Sequence, residues 1–134
     1  MTGFVIDASI LAGFALADER PPRAVAAIER LRRETARAPA LLFFDIRNVL
    51  LVNERRRRLT PARSEEFLGI LARLPIAVDD GCDEKRLMLL ARKHRLTAYD
   101  GAYLELALRE SLALATLDAE LEQAARAEGV AIVE

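Results

Sequence analysis

A single cysteine, Cys82, and a single histidine, His94, are all the soft metal-ligand chemistry this sequence contains. One thiol closes no internal disulfide, and without companion cysteines or histidines no zinc knuckle or ribbon can form. The lone histidine likewise belongs to no visible nucleophile triad. Excess charge is missing too: the formal net charge is −1, so there is no global basic field to hold a nucleic-acid duplex. A local strip such as the arginine run Arg55–Arg58 can still dock one strand, although positive charge also suits the exposed end of a helix. No uninterrupted apolar run reaches membrane-spanning length. The opening "MTGFVIDASILAGFALADE" is broken by Asp7 and has no basic region ahead of an apolar core. A cytoplasmic location with no membrane contact is therefore expected.

What is present is an ordinary globular composition. Apolar residues make up 52% and charged residues 31%, with only five prolines and six glycines, which excludes disordered and collagen-like classes. At 134 residues the chain is the size of one domain, so a single unit spanning residues 1–134 is expected.

Short apolar runs alternate with helical patterns. "GFVID" reads as a buried first strand, followed by a short helix in "ASILAGFALADE". A helix is expected over Pro22–Arg37, where Val25, Ile28 and Leu31 make an apolar line. A longer one over Leu41–Arg58 places Leu42, Asp45, Asn48, Val49 and Val52 on about one side. "TPARSEEFLGILARL" gives a helix capped by Thr60 with Pro61 in its first position. Then come a strand in "PIAVDD", a helix near Asp83–His94, a very short strand at Thr97–Tyr99 and a helix from Asp100 to Arg109. A strand in "LALATLD", a helix in "AELEQAARAEG" ended by Gly129, and a last strand "VAIVE" complete the chain. Helical crossovers between short strands favour a mostly parallel sheet covered on both faces, an α/β fold.

The spacing then predicts that Asp7, Asp100 and Asp118 end strands at the carboxyl edge of that sheet, where open α/β sheets bind ligands. Taken singly, each also reads as a helix cap. Together, and with Asp45 facing inward, they would repel one another unless protons or a cation compensate. Oxygen ligands suit magnesium or manganese. Ser9 and Thr116 stand two residues from Asp7 and Asp118, and Asn48 one turn after Asp45; the hydroxyls can bond a metal-bound water, a substrate phosphate or nearby backbone, and the amide can orient a carboxylate, contact substrate or be simply a satisfied polar group. Tyr99 and Tyr103 flank Asp100, as packing groups or as surfaces for a base. Asp79 and Asp80 read as a turn.

Residues "FVIDASI", "DIRNVLLVNERRRRLT", "LTAYDGAYLELALRESLALATLD" and "AARAEGV", in that order, resemble the PIN-domain family, and within it the VapC-like toxins of bacterial toxin–antitoxin pairs. The resemblance covers essentially the whole chain. It implies a three-layer α/β/α PIN-like domain and a metal-dependent endoribonuclease. It carries the acidic site over to Asp7, Asp45, Asp100 and Asp118, and the accessory hydroxyls and amide to Ser9, Thr116 and Asn48. It also implies an RNA substrate, a homodimer, and a small VapB-like antitoxin through which operator DNA is bound. The departure is Asp45, where such toxins usually carry glutamate. The shorter arm reaches an ion through water, a kind of contact whose loss costs ~10–100-fold. A phospho-acceptor receiver domain and a phosphatase also use strand-end acids, but this chain lacks their paired acids after the first strand. A DNA nuclease and a PIN domain that binds without cleaving remain rivals.

Overall fold

The computed structural model describes residues 3–16 and 20–134. Its elements are β1 (Gly3–Ile6), α1 (Ala8–Leu16), α2 (Pro22–Arg30), β2 (Thr35–Pro39), α3 (Leu41–Arg55), α4 (Pro61–Leu71), β3 (Ile76–Asp79), α5 (Glu84–His94), α6 (Ala98–Glu110), β4 (Ala113–Ala115) and α7 (Ala119–Ala127). The expected helix in "ASILAGFALADE" is α1, and its last three residues fall outside the described ones.

The four strands pair in the order β3-β2-β1-β4, every pairing parallel. Crossovers between parallel strands are right-handed. The chain steps from β1 to β2 to β3 in one direction and then returns past β1 to β4. That reversal puts the helices of the last crossover on the opposite face from those of the first two, giving a three-layer α/β/α domain. Accordingly α6 packs across β1, β2 and β4 with α5 against it, whereas α1 packs with α2 and α3. Phe4, Val5, Ile6, Leu114 and Ala115 lie fully buried between the layers. A strand covered on both sides has no polar face, hence the uninterrupted apolar "FVI".

Five local expectations need correction. The helix expected over Pro22–Arg37 stops at Arg30, and Thr35–Pro39 is a strand in the sheet interior. Its buried side chains are only Ala36 and Ala38, small residues that let helices approach closely but carry little strand propensity. Helix α3 ends at Arg55, short of Arg58. The face it buries is Leu42, Ile46 and Leu50, which leaves Asn48 exposed. Thr97–Tyr99 is not a strand: the Thr97 Oγ1 accepts from the Asp100 backbone N–H at 3.1 Å and starts α6, so Asp100 sits in a helix's first turn. The terminal "VAIVE" makes only an isolated bridge, Ile132 to Leu114.

Candidate active site

Asp7 is the fixed point. Its backbone N–H still bonds to the Ala115 carbonyl at 3.2 Å, so it is the last residue tied to the junction of β1 and β4. Two of the three connections run away from this junction on one side and the last returns on the other, making it the topological switch point where open sheets form clefts. The side chain is 4% exposed. Oδ1 accepts from the Ser9 hydroxyl at 2.6 Å and from the Ile10 N–H at 3.2 Å. Oδ2 accepts from the Thr116 hydroxyl at 2.5 Å. Burial pushes this carboxyl up to about 6, the loss of solvation outweighing three hydrogen bonds that pull the other way.

Ser9 and Thr116 extend this corner. The Ser9 Oγ accepts from the Leu117 N–H at 2.8 Å and lies 3.4 Å from the Thr116 hydroxyl, which in turn accepts from the Asp118 N–H at 3.0 Å. Of the roles open to Ser9 on sequence, bonding to nearby backbone is the one the structure shows, and its bond to Asp7 went unread there. Asp118 caps α7, its Oδ1 accepting from the Leu121 N–H at 3.0 Å. The capping reading therefore holds for Asp118, and Asp7 likewise holds the N–H of the third residue of α1.

The other two acids form a helix-borne rim. Asp100 and Asp45 are both half-buried. Asp100 is raised by burial first, then by the negative charges of Asp118 and Asp45. Asp45 is raised by burial, against the hydrogen bond it accepts from Tyr103. The Tyr103 hydroxyl donates to Asp45 Oδ2 at 3.2 Å from a side chain that is 2% exposed. Burial and the charges of Asp45, Asp7 and Asp100 hold this phenol firmly neutral, so it remains a donor. Tyr103 thus packs in the core, one of the readings made from sequence, and through its hydroxyl also ties α3 to α6. Its signal was the spacing of three from Asp100, which puts both on one helix face. Tyr99, by contrast, is 65% exposed.

Asp79 ends a strand as Asp7 does, yet it lies at the far edge of the sheet. The Arg109 guanidinium binds it at 3.0 Å and holds its carboxyl below the usual range. The same arginine reaches the buried Glu105 at 2.8 Å and the Gly81 carbonyl, so this acid belongs to a structural brace. His94 pairs with Glu128 at 2.6 Å, away from the acids.

The four site acids are electrostatically linked through Asp100, and their oxygen-only chemistry fits a hard divalent cation. Among the described residues, no three carboxylates, histidines or cysteines stand close enough together to form a finished ligand set. Asp7 spends its oxygens on Ser9, Ile10 and Thr116. A cation would thus meet Asp7 already oriented and Asp45 held by the Tyr103 hydroxyl.

A buried strand-end carboxylate at the switch point of a four-stranded parallel sheet, faced by helix-borne acids, defines a class of acidic-site α/β domains. The chain belongs to the PIN domain family, whose model matches residues 4–127. It is similar to the crystal structure of PAE2754 from Pyrobaculum aerophilum, with 24% identity and a TM-score of 0.73 over 98% of this chain and 90% of that one. It is also similar to FitAcB from Neisseria gonorrhoeae, with 19% identity, a TM-score of 0.66, and 98% and 96% of the two chains covered. A third relative in fold is Mycobacterium tuberculosis VapC20, a sarcin-ricin loop cleaving toxin, with 13% identity, a TM-score of 0.62, and 92% and 95% covered. No curated protein sequence matches the chain.

Proposed function

We propose that the protein is a magnesium- or manganese-dependent endoribonuclease, the toxin of a toxin–antitoxin pair, hydrolysing RNA phosphodiester bonds. The observation that supports this most is Asp7: a PIN domain that buries one carboxylate at the switch point, with its orientation fixed by two hydroxyls, has spent folding energy on a single acid. Asp7, Asp100 and Asp118 would hold the cation, with Asp45 reaching it directly or through water. When bound, the ion supplies charge neutralisation at the phosphate and a water of lowered pKa. Ser9 and Thr116 keep Asp7 aimed. One of the acids would also help take a proton from the attacking water. Asn48, exposed on α3, is left for the substrate side. Attack in line on phosphorus breaks the P–O3′ bond and leaves 5′-phosphate and 3′-hydroxyl ends. The protein partners would be a small VapB-like antitoxin and a second copy of the chain.

Mixed RNAs incubated with purified protein under a magnesium or manganese titration test this. Cleavage is expected only with the cation, and is lost in Asp7→Asn and Asp100→Asn. Cleavage without a cation, or full activity in both variants, overturns the reading. Growth arrest on induction, relieved by a small protein encoded next to this one, is the expected sign of the toxin role. A PIN domain that binds RNA without cutting it is the second reading, favoured by Asp45 and by the open arrangement of the acids. RNA binding with no new 5′ ends under either cation would select it.

A further inference from the structure

The arginine run is not one feature. Arg56 caps α3, and Arg57 takes a left-handed backbone with φ 58°. Its N–H bonds to the Glu54 carbonyl at 3.0 Å, and the Arg58 N–H to the Asn53 carbonyl at 2.9 Å. This paired helix stop is usually built on glycine. Arginine holds it here at a cost of about 1 kcal/mol. The result is a reversal that separates the four side chains. Arg58 turns back to line an open groove of about 500 Å³ between α1 and α3, whose other walls include Ser9, Ala12, Gly13, Val49, Asn53 and Leu117. Arg55, Arg56 and Arg57 are no part of that lining.

The groove opens on the acid corner at two points. Ser9 binds Asp7, and Leu117 lies between Thr116 and Asp118. Its α1 wall carries Ser9, Ala12, Gly13 and Leu16, one helix face of seven steps, or about 10 Å at 1.5 Å per residue. Gly13 lets the Leu117 side chain pack against α1, since a Cβ there would stand 2.7 Å from the Leu117 Cδ1. Asn53 donates its amide N–H to the Val49 carbonyl at 2.8 Å, which orients the side chain and leaves its Oδ1 as an acceptor on the groove wall. Among the described residues the lining thus has mostly apolar side chains, the Ser9 hydroxyl, one amide and one cation. Its volume is in the range of about 300–1,000 Å³ usual for small-ligand sites.

We propose that this groove seats a nucleotide of single-stranded RNA flanking the bond to be cut, with its base and ribose against Ala12, Val49 and Leu117 and its outer phosphate on Arg58. Charge complementarity sets the direction: phosphate cannot rest among four carboxylates without a cation, and Arg58 offers it an unassisted position. The proposal rests on the RNA reading above, and makes Arg58 a binding residue with a role that Arg55 does not share.

The test is binding without cleavage. A labelled single-stranded RNA is titrated by fluorescence anisotropy into the Asp100→Asn protein without divalent cation, over a range of salt. Arg58→Gln added to that background is expected to weaken binding about 5–10-fold at low salt and to reduce the salt slope by about 0.7, the value of one lost contact on a single strand. Arg55→Gln, on the same helix end, should change affinity by less than about 2-fold. Ala12→Leu fills the groove and should weaken binding with the salt slope unchanged. Equal effects of Arg55→Gln and Arg58→Gln would return the run to an undifferentiated basic patch and overturn the proposal. So would no RNA binding at all, duplex RNA binding as tightly as single strand, or variants that keep RNA but lose a co-expressed protein partner. If the parent protein cleaves RNA while both groove variants bind it normally, the groove fails and the nuclease reading stands. If the variants lose binding but the parent cuts nothing under magnesium or manganese, the groove stands and the nuclease reading fails.

Discussion

The acid site has two halves built in opposite ways. The corner at Asp7 is strand-borne, 4% exposed, and satisfied by donors from Ser9, Ile10 and Thr116. The rim at Asp45 and Asp100 is helix-borne and half-buried, and a single phenol steadies Asp45. A buried carboxylate is held by its neighbours whether or not a cation is present, and burial opposes its charge. A half-exposed one costs the fold less. The corner is thus fixed by burial and several donors and the rim by single hydrogen bonds, and the two should respond differently to substitution.

The largest contrast is expected from Asp7→Asn against Asp100→Asn. On the proposed reading both should reduce cation-dependent cleavage by about 10³-fold or more, because each would remove a charge that holds the ion. The corner change should also alter stability the more strongly, because Asp7 is buried while Asp100, raised in the same direction, is half-buried. The Asp7 carboxyl is raised from 3.8 to about 6 in the folded protein. The stability this contributes is fully present below the unfolded value and is lost as pH rises through about 6. Thermal melts of the cation-free protein should therefore fall between pH 4 and 7, and Asp7→Asn should flatten that dependence. An equally large flattening from Asp100→Asn would erase the distinction between the halves.

Thr116→Val comes next. It removes the donor to Asp7 Oδ2 and the acceptor of the Asp118 N–H. A loss of about 1–3 kcal/mol in urea unfolding is expected from the groups left unpaired. The matching change at the rim, Tyr103→Phe, should cost less than about 1 kcal/mol of stability, yet weaken manganese binding by calorimetry about 10-fold as Asp45 loses its anchor. In an Asp45→Glu background the same change should matter less, because the longer arm reaches inward unaided. A Tyr103→Phe effect of the same size in both backgrounds would remove the anchoring role. Smallest of all, Asn48→Ala should leave stability within about 0.5 kcal/mol. Slower cleavage with unchanged manganese binding would then put Asn48 on the substrate.

The same division governs what could be read from sequence. The corner was legible because "FVID" and "LATLD" carry buried-strand runs ending in acids, and parallel neighbours bring those ends together. Asp100 was assigned to the right neighbourhood for a mistaken reason. Thr97 and Tyr99 have the β-branched and aromatic look of a strand, but the Thr97 hydroxyl caps a helix instead. β2 escaped notice because "TARAP" signals only through alanines at every second position, continuing an alanine-rich helical pattern. The Tyr103–Asp45 contact needed three-dimensional knowledge of how α3 lies against α6. The Arg58 reversal depended on a left-handed arginine, for which no local residue preference speaks.

Parallel pairing of β1 with β4 has one more effect. The helices that follow these strands, α1 and α7, begin side by side with their amino ends toward the same clustered acids. Each carries about half a positive charge at that end. The scaffold thereby supplies part of the counter-charge to these carboxylates on its own account.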